Sequence, residues 1–237
     1  MRNDSIVSNI RKELAYYGNE ENRLSEKRFF KEEIKTYGLK KPAIDKIAKT
    51  AFREIESPKR EKVFALCEQL WQSGYMEEAL IACRWSYFIR KQFLPDDFHI
   101  FENWIHRYVS NWATCDTFCN HTVGAFLTMY PEKTEGLSHW AKSENRWLRR
   151  AAAVSLIVPA RKGKFLNDVL AIASILLQDK DDMVRKGYGW MLKVASQQHP
   201  EEVFEFVIQR KNIMPRTALR YAIEKMAPEK KEAAMAK

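Results

Sequence analysis

Apolar residues in this chain recur at the three-to-four-residue spacing of an α-helix almost from end to end, and no run of alternating β-branched residues is long enough to make a strand. That pattern dictates an all-α fold. Helices are expected at about 4–17, 25–37, 42–55, 58–73, 76–93, 95–108, 114–130, 132–142, 145–158, 165–178, 181–198, 200–211 and 215–226. Punctuation agrees with several of these bounds. Ser25 stands where a cap belongs and Gly38 where a helix ends. Pro42, Pro58, Pro95, Pro131, Pro200 and Pro215 stand where first-turn prolines are tolerated, because the N–H they lack has no helical partner there. Connections this short make consecutive helices antiparallel neighbours.

One segment recurs. Asn145-Arg146-Trp147-Leu148-Arg149-Arg150-Ala151 aligns with Asp181-Asp182-Met183-Val184-Arg185-Lys186-Gly187 at a separation of 36, matching a cap, an apolar residue, two basic residues and a small one. A period of that size, with two helices per unit, belongs to an α-solenoid of HEAT-like repeats with a concave basic face. The 237 residues then make a single domain. Residues 1–57 are expected to be variant N-terminal cap helices, 58–226 the helical repeats and 227–237 a frayed polar tail.

Forty Lys and Arg against thirty-one Asp and Glu give a net charge of +9, which favours an anionic partner such as nucleic acid or an anionic membrane surface. The N-terminus has no apolar signal region, and no run of eighteen apolar residues occurs, so a soluble cytoplasmic protein is expected. The four cysteines, Cys67, Cys83, Cys115 and Cys119, fall inside helical patterns and read as free thiols. Cys115, Cys119 and His121 raise a metal reading, which lacks a second Cys/His pair to complete four ligands.

Over residues 183–197, Val184, Gly187, Tyr188, Met191, Val194 and Ala195 form the core face, leaving Met183, Lys186, Trp190, Lys193 and Gln197 on the other. A cation, an indole and a cation along one outward stripe suit a polyanion carrying a flat or cationic base. Trp147 with Arg150, and Trp112 with Asp116, share this register, so Trp112, Arg150 and Trp190 are expected on the concave face. Taken singly, each has a plainer reading: tryptophans usually pack, paired arginines are usually solvated, and Asp116 suits a first helical turn after Thr114. Their coincidence is the stronger signal.

These segments, together with Tyr37-Gly38-Leu39-Lys40-Lys41-Pro42, Trp112-x-x-x-Asp116, Asn145-x-Trp147-Leu148-x-Arg150-Ala151-Ala152 and Gly189-Trp190-x-Leu192, resemble the bacterial HEAT-like alkylpurine DNA glycosylases, the AlkD group of the DNA alkylation repair family. The resemblance extends over nearly the whole chain. It implies excision of N3- and N7-alkylated purines from duplex DNA in base excision repair, without a cofactor or metal and without a base pocket. Asp116 would be the catalytic carboxylate, Trp112 and Trp190 aromatic walls around the damaged nucleotide, and Arg150 a backbone contact beside it. Arg149, Lys186, Lys193, Trp147, Phe29, Lys40 and Lys41 would contribute DNA contacts.

The implied partner is duplex DNA containing alkylated purines, engaged by a monomer and away from membranes. Relatives commonly read Trp-Trp-Asp-x-x-Asp where this chain has Asn111-Trp112-Ala113-Thr114-Cys115-Asp116, and Phe29 stands where some members place a tyrosine. Two rival readings use the same residues: a non-catalytic DNA-binding relative, and a protein-interaction scaffold with tryptophan anchors.

Overall fold

The computed structural model describes residues 2–236, with side chains from Ser5 onward. Among them helix dominates, no β-strand occurs, and the nearest approach to one is a single parallel bridge between Lys35 and Tyr75. Contacts group the chain into two compact units, one running to Phe118 and the other starting at Cys119, where the sequence reading places one domain with an internal boundary near residue 57.

The first unit contains α1 (Arg2–Tyr17), α2 (Glu20–Phe29), α3 (Lys41–Arg53), α4 (Arg60–Gln72), α5 (Met76–Phe88), α6 (Asp97–Tyr108) and α7 (Trp112–Phe118). Its core is aromatic. Phe118 meets Trp71, Phe101 and Trp104 at centroid distances of 5.7, 5.5 and 5.8 Å, and Phe64 joins Trp104 at 5.2 Å. Polar ties cross between helices where charge is buried. Asp97 is fully buried, bonds the Arg60 guanidinium and accepts from the Leu94 N–H, while Arg84 grips Asp45 through two bonds of 2.8 and 2.9 Å.

The helix expected over 25–37 lies earlier. Asn19 caps α2 by accepting from the Asn22 N–H at 2.9 Å, Glu20 and Glu21 favour its first turn, and Ser25 sits in mid-helix. Residues 30–40 are not helical, because buried Glu77 on α5 collects the Gly38 and Leu39 N–H groups at 2.8 and 3.1 Å. Gly38 has a φ of +82°, and a Cβ there would stand 2.2 Å from the Asn19 carbonyl oxygen, so both the backbone turn and the close approach require glycine.

Helix α2 buries none of its residues. It is held instead by the Asn19 N–H donating to the Tyr37 carbonyl, by Asn22 Nδ2 donating to the Gly38 carbonyl, and by Glu26 against the Thr36 hydroxyl. That hydroxyl lies between two carboxylates, Glu26 and Glu77, and has one proton to give. Burial raises the Glu26 pKa, opposed by the Thr36 bond and assisted by the Glu77 charge.

The second unit opens with a π-helical turn, Cys119–Val123, that joins α7 to the next helix without a break, so the helix expected over 114–130 is present with a π-helical insert. It continues through α8 (Gly124–Met129), α9 (Leu137–Trp140), α10 (Arg146–Val154), α11 (Ile157–Ala160), α12 (Leu166–Ile175), α13 (Asp182–Ala195), α14 (Pro200–Arg210), α15 (Arg216–Ile223) and α16 (Pro228–Met235). Helix α13 is its hub, packed on α10, α12 and α15. At Gly189 a Cβ would stand 2.7 Å from the Tyr221 Cβ and 2.9 Å from the Ala218 carbonyl oxygen, so α13 and α15 touch through a position with no room for a side chain. The frayed tail expected after residue 227 is corrected by α16. That helix buries Ala234, and Lys211 Nζ donates to the Ala233 and Ala236 carbonyls at 3.0 Å each.

Two outcomes follow from this packing. Gly189→Ala is expected to destabilise the protein by about 1–3 kcal/mol, since the atoms that must yield are the Tyr221 Cβ and the Ala218 backbone, neither the end of a flexible side chain; a chemical-denaturation midpoint equal to that of the parent would contradict it. For α2, the raised Glu26 pKa means that its contribution is complete below the ordinary carboxylate pKa and is lost as pH rises through the raised value. Amide exchange in α2 should therefore accelerate, beyond its intrinsic pH dependence, between acidic and neutral pH, and Glu26→Gln should flatten that excess.

Candidate nucleic-acid interface

In the first unit the candidate residues are built on α7. Asn111 begins the helix, its Oδ1 accepting from the Thr114 N–H at 3.0 Å while the Thr114 hydroxyl donates to the Asn111 carbonyl. The residue that replaces an aromatic of the resembled motif is thus a helix cap, and Asp116 lies in the second turn, not in a first turn after Thr114. Thr114, Cys115 and Phe118 are buried, whereas Trp112, Ala113, Asp116 and Thr117 remain partly accessible. Asp116 is one turn beyond Trp112, so indole and carboxylate share the accessible face.

Trp112 does not stand alone. Phe30 stacks on it at 5.3 Å and Phe29 meets it edge-on at 5.9 Å, bringing the expected lesion-side aromatic Phe29 onto the Trp112 ring. Phe29 is 69% exposed. Lys40 and Lys41 are exposed at the start of α3, where Lys41 pairs with Asp45 at 3.5 Å. Sequence reasoning passed over Phe30; the available signal was the Phe29-Phe30 pair at the end of a charged helix.

In the second unit the stripe on α13 lies as the spacing predicts. Val184, Gly187, Tyr188, Met191, Val194 and Ala195 are buried, and Lys186, Trp190 and Lys193 are partly accessible. Asp181 caps the helix by accepting from Met183 and Val184, just as Asn145 caps α10 by accepting from Trp147 at 2.8 Å, so the internal repeat carries equivalent caps. Lys186 Nζ bonds Asp182 at 2.8 Å, and that hydrogen bond raises its pKa. Lys193 reaches Glu224 at 2.9 Å and lies 5.3 Å over the Tyr221 ring.

The register does not carry over to α10. Trp147 and Arg150, expected on an outward face, are only 7% and 5% exposed. Helix α10 buries all of its residues except Arg146 and Arg149, because it is packed against α9, α12 and α13. The Arg150 Nη1 donates to the Met183 carbonyl, tying α10 to the first turn of α13, and the Arg146 guanidinium covers the Trp147 ring at 4.6 Å. Arg149 grips Asp179 at 2.6 Å and also donates to the Ser143 and Glu144 carbonyls. Trp147 and Arg150 thus shape the unit from within, and Arg149 ties α10 to the connection before α13.

All four cysteines are free and buried, and burial pushes the Cys67 and Cys83 thiols up. Among the described residues, no three His, Cys, Asp or Glu side chains come together as a metal site, and no helix is long and apolar enough to cross a membrane.

The family described as DNA alkylation repair enzyme matches residues 10–226 of this chain. Among solved structures, the chain is similar to a predicted DNA alkylation repair enzyme from Enterococcus faecalis, with 16% identity and a TM-score of 0.79 over 89% of this chain and 97% of that one. It is also similar to AlkD2 from Streptococcus mutans, with 18% identity and a TM-score of 0.61 over 80% of this chain and 91% of that one. The smu.31 protein from Streptococcus mutans UA159 gives 18% identity and a TM-score of 0.57 over 78% and 92%. No curated protein matches in sequence. The structural likenesses establish a shared all-α repeat fold, and the family match adds the identity: the chain belongs to the DNA alkylation repair enzyme family.

Proposed function

We infer that the protein is a DNA glycosylase that releases N3- and N7-alkylated purines from duplex DNA. The observation that carries this reading is the pairing of Trp112 and Asp116 one turn apart on the accessible face of α7, with the indole packed on Phe29 and Phe30. Alkylation at N3 or N7 makes the purine cationic, so it departs without first accepting a proton. The bond between C1′ and the purine nitrogen breaks with its electron pair moving to the base, which leaves neutral. Positive charge then develops on the deoxyribose, where a fixed carboxylate stabilises it. Water adds at C1′, and its proton passes to the Asp116 carboxylate or to solvent.

An indole face suits both the cationic base and the electron-poor sugar, each contact contributing about 0.5–2 kcal/mol. Lys40, Lys41, Lys186 and Lys193 supply phosphate contacts that position DNA without reading its sequence. For Lys41 and Lys186 the present carboxylate partners do not oppose this. The Lys41–Asp45 and Lys186–Asp182 pairs are accessible i,i+4 contacts, which are weak and readily exchanged for phosphate. Trp190 completes the stripe between Lys186 and Lys193, while buried Arg150 supports α13 from beneath.

The test is release of 7-methylguanine and 3-methyladenine from methylated duplex DNA. Wild type should release both bases, and Asp116→Asn should lose about 10²- to 10³-fold in rate, the scale of losing one preorganised electrostatic partner, with DNA affinity retained. Salt-sensitive DNA binding with no base release from the wild type would favour the non-catalytic DNA-binding reading instead.

A further inference from the structure

Trp112 is the first residue of α7, so no preceding helical turn lies beneath its side chain to restrict it. Its restraints come from elsewhere in the first unit. Phe30 stacks on the indole with the ring planes 23° apart, whereas Phe29 meets it at 68°. The two phenylalanines differ in kind. Phe29 is largely exposed, but Phe30 is 8% exposed and sits in an apolar cluster with Ile34 and Met76, against which Trp112, Leu80 and Ala113 pack. The Phe30 backbone is fixed as well, its N–H donating to the Glu26 carbonyl at 3.0 Å. A near-parallel aromatic neighbour restricts the tilt of an indole, which an aliphatic side chain of similar volume does not.

We propose that Phe30 is a positioning residue that sets the plane of the Trp112 indole and leaves the opposite ring face to the substrate. The structural part stands on packing alone, and the kinetic part rests on the glycosylase reading. Replacing Phe30 by leucine keeps the apolar seat and removes the stack, while tyrosine keeps the stacking ring.

Five tryptophans, Trp71, Trp85, Trp104, Trp140 and Trp147, are buried, so in a Trp190→Phe background acrylamide quenching of fluorescence reports Trp112. In that background Phe30→Leu should increase quenching, and Phe30→Tyr should restore the parental value. In the otherwise native protein, Phe30→Leu should lower kcat for base release by about three- to tenfold, the worth of one aromatic pair, with KM nearly unchanged, the thermal midpoint lowered by only a few degrees, and kcat rescued by Phe30→Tyr. Unchanged quenching in the leucine variant would overturn the proposal, as would unchanged kcat in an active enzyme. A wild type that releases no base would sink the glycosylase reading, and quenching would then decide the position of Phe30 by itself.

Discussion

The orientation of α7 depends on one aromatic anchor. Phe118 is fully buried among Trp71, Phe101 and Trp104, and with Cys115 and Thr114 it turns one side of a two-turn helix into core. The remaining side then has to carry Trp112 and Asp116. Seven α-helical residues, which run directly into the π-helical turn Cys119–Val123, have little stability of their own. The conformation of α7 therefore rests on this anchor, on the Asn111 cap at its start and on the π-helical turn that continues from its end. An aromatic core serves that purpose well, because large rigid rings bury much area with few rotamers to order.

The second unit reaches a comparable outcome by a different route. Helix α13 approaches α15 through Gly189, and α10 reaches the first turn of α13 through the buried Arg150 guanidinium. An arginine in this position works as a crosslink between helices, since its guanidinium reaches from α10 to donate to the Met183 carbonyl in the first turn of α13. Arg149 and Arg185 do the same around Asp179, one through its carboxylate and the other through its backbone carbonyl. The basic residues of the internal repeat thus divide by what they bond: Arg149, Arg150 and Arg185 tie elements together, while Lys186 pairs only with Asp182 one turn away on its own helix.

Periodicity made the helical class and the two faces of α13 legible, because a helix packed on one side leaves an unambiguous stripe. It failed on α10, where contact with several neighbours buries nearly every position and an outward register has no meaning. The start of α2 was written in Asn19-Glu20-Glu21, a cap followed by acids, but Ser25 competed with it as a cap signal. Pro228-Glu229 carried the same N-terminal signature as Pro200-Glu201, yet the polar run that follows shows no apolar stripe, so α16 read as a tail. Glu77 and Glu78 were beyond reach. Two adjacent acids in a helix read as solvated, and the backbone amides and the tyrosine hydroxyl that receive them lie some forty residues upstream. At the candidate site Trp112, Asp116 and Phe29 were visible as residue types, whereas the ring beneath Trp112 emerged only with the fold.

The chemistry assigned to α7 makes a strict demand on the leaving group. A carboxylate beside an indole stabilises positive charge on a sugar but gives no proton to a departing neutral base, so the positive charge of the lesion has to supply the driving force. The most direct measurement compares excision of 7-methylguanine with excision of hypoxanthine, a neutral purine, from otherwise identical duplexes. Release of 7-methylguanine with hypoxanthine left in place is the predicted result. Release of both at similar rates would contradict the account, because a neutral base needs protonation that this mechanism does not provide.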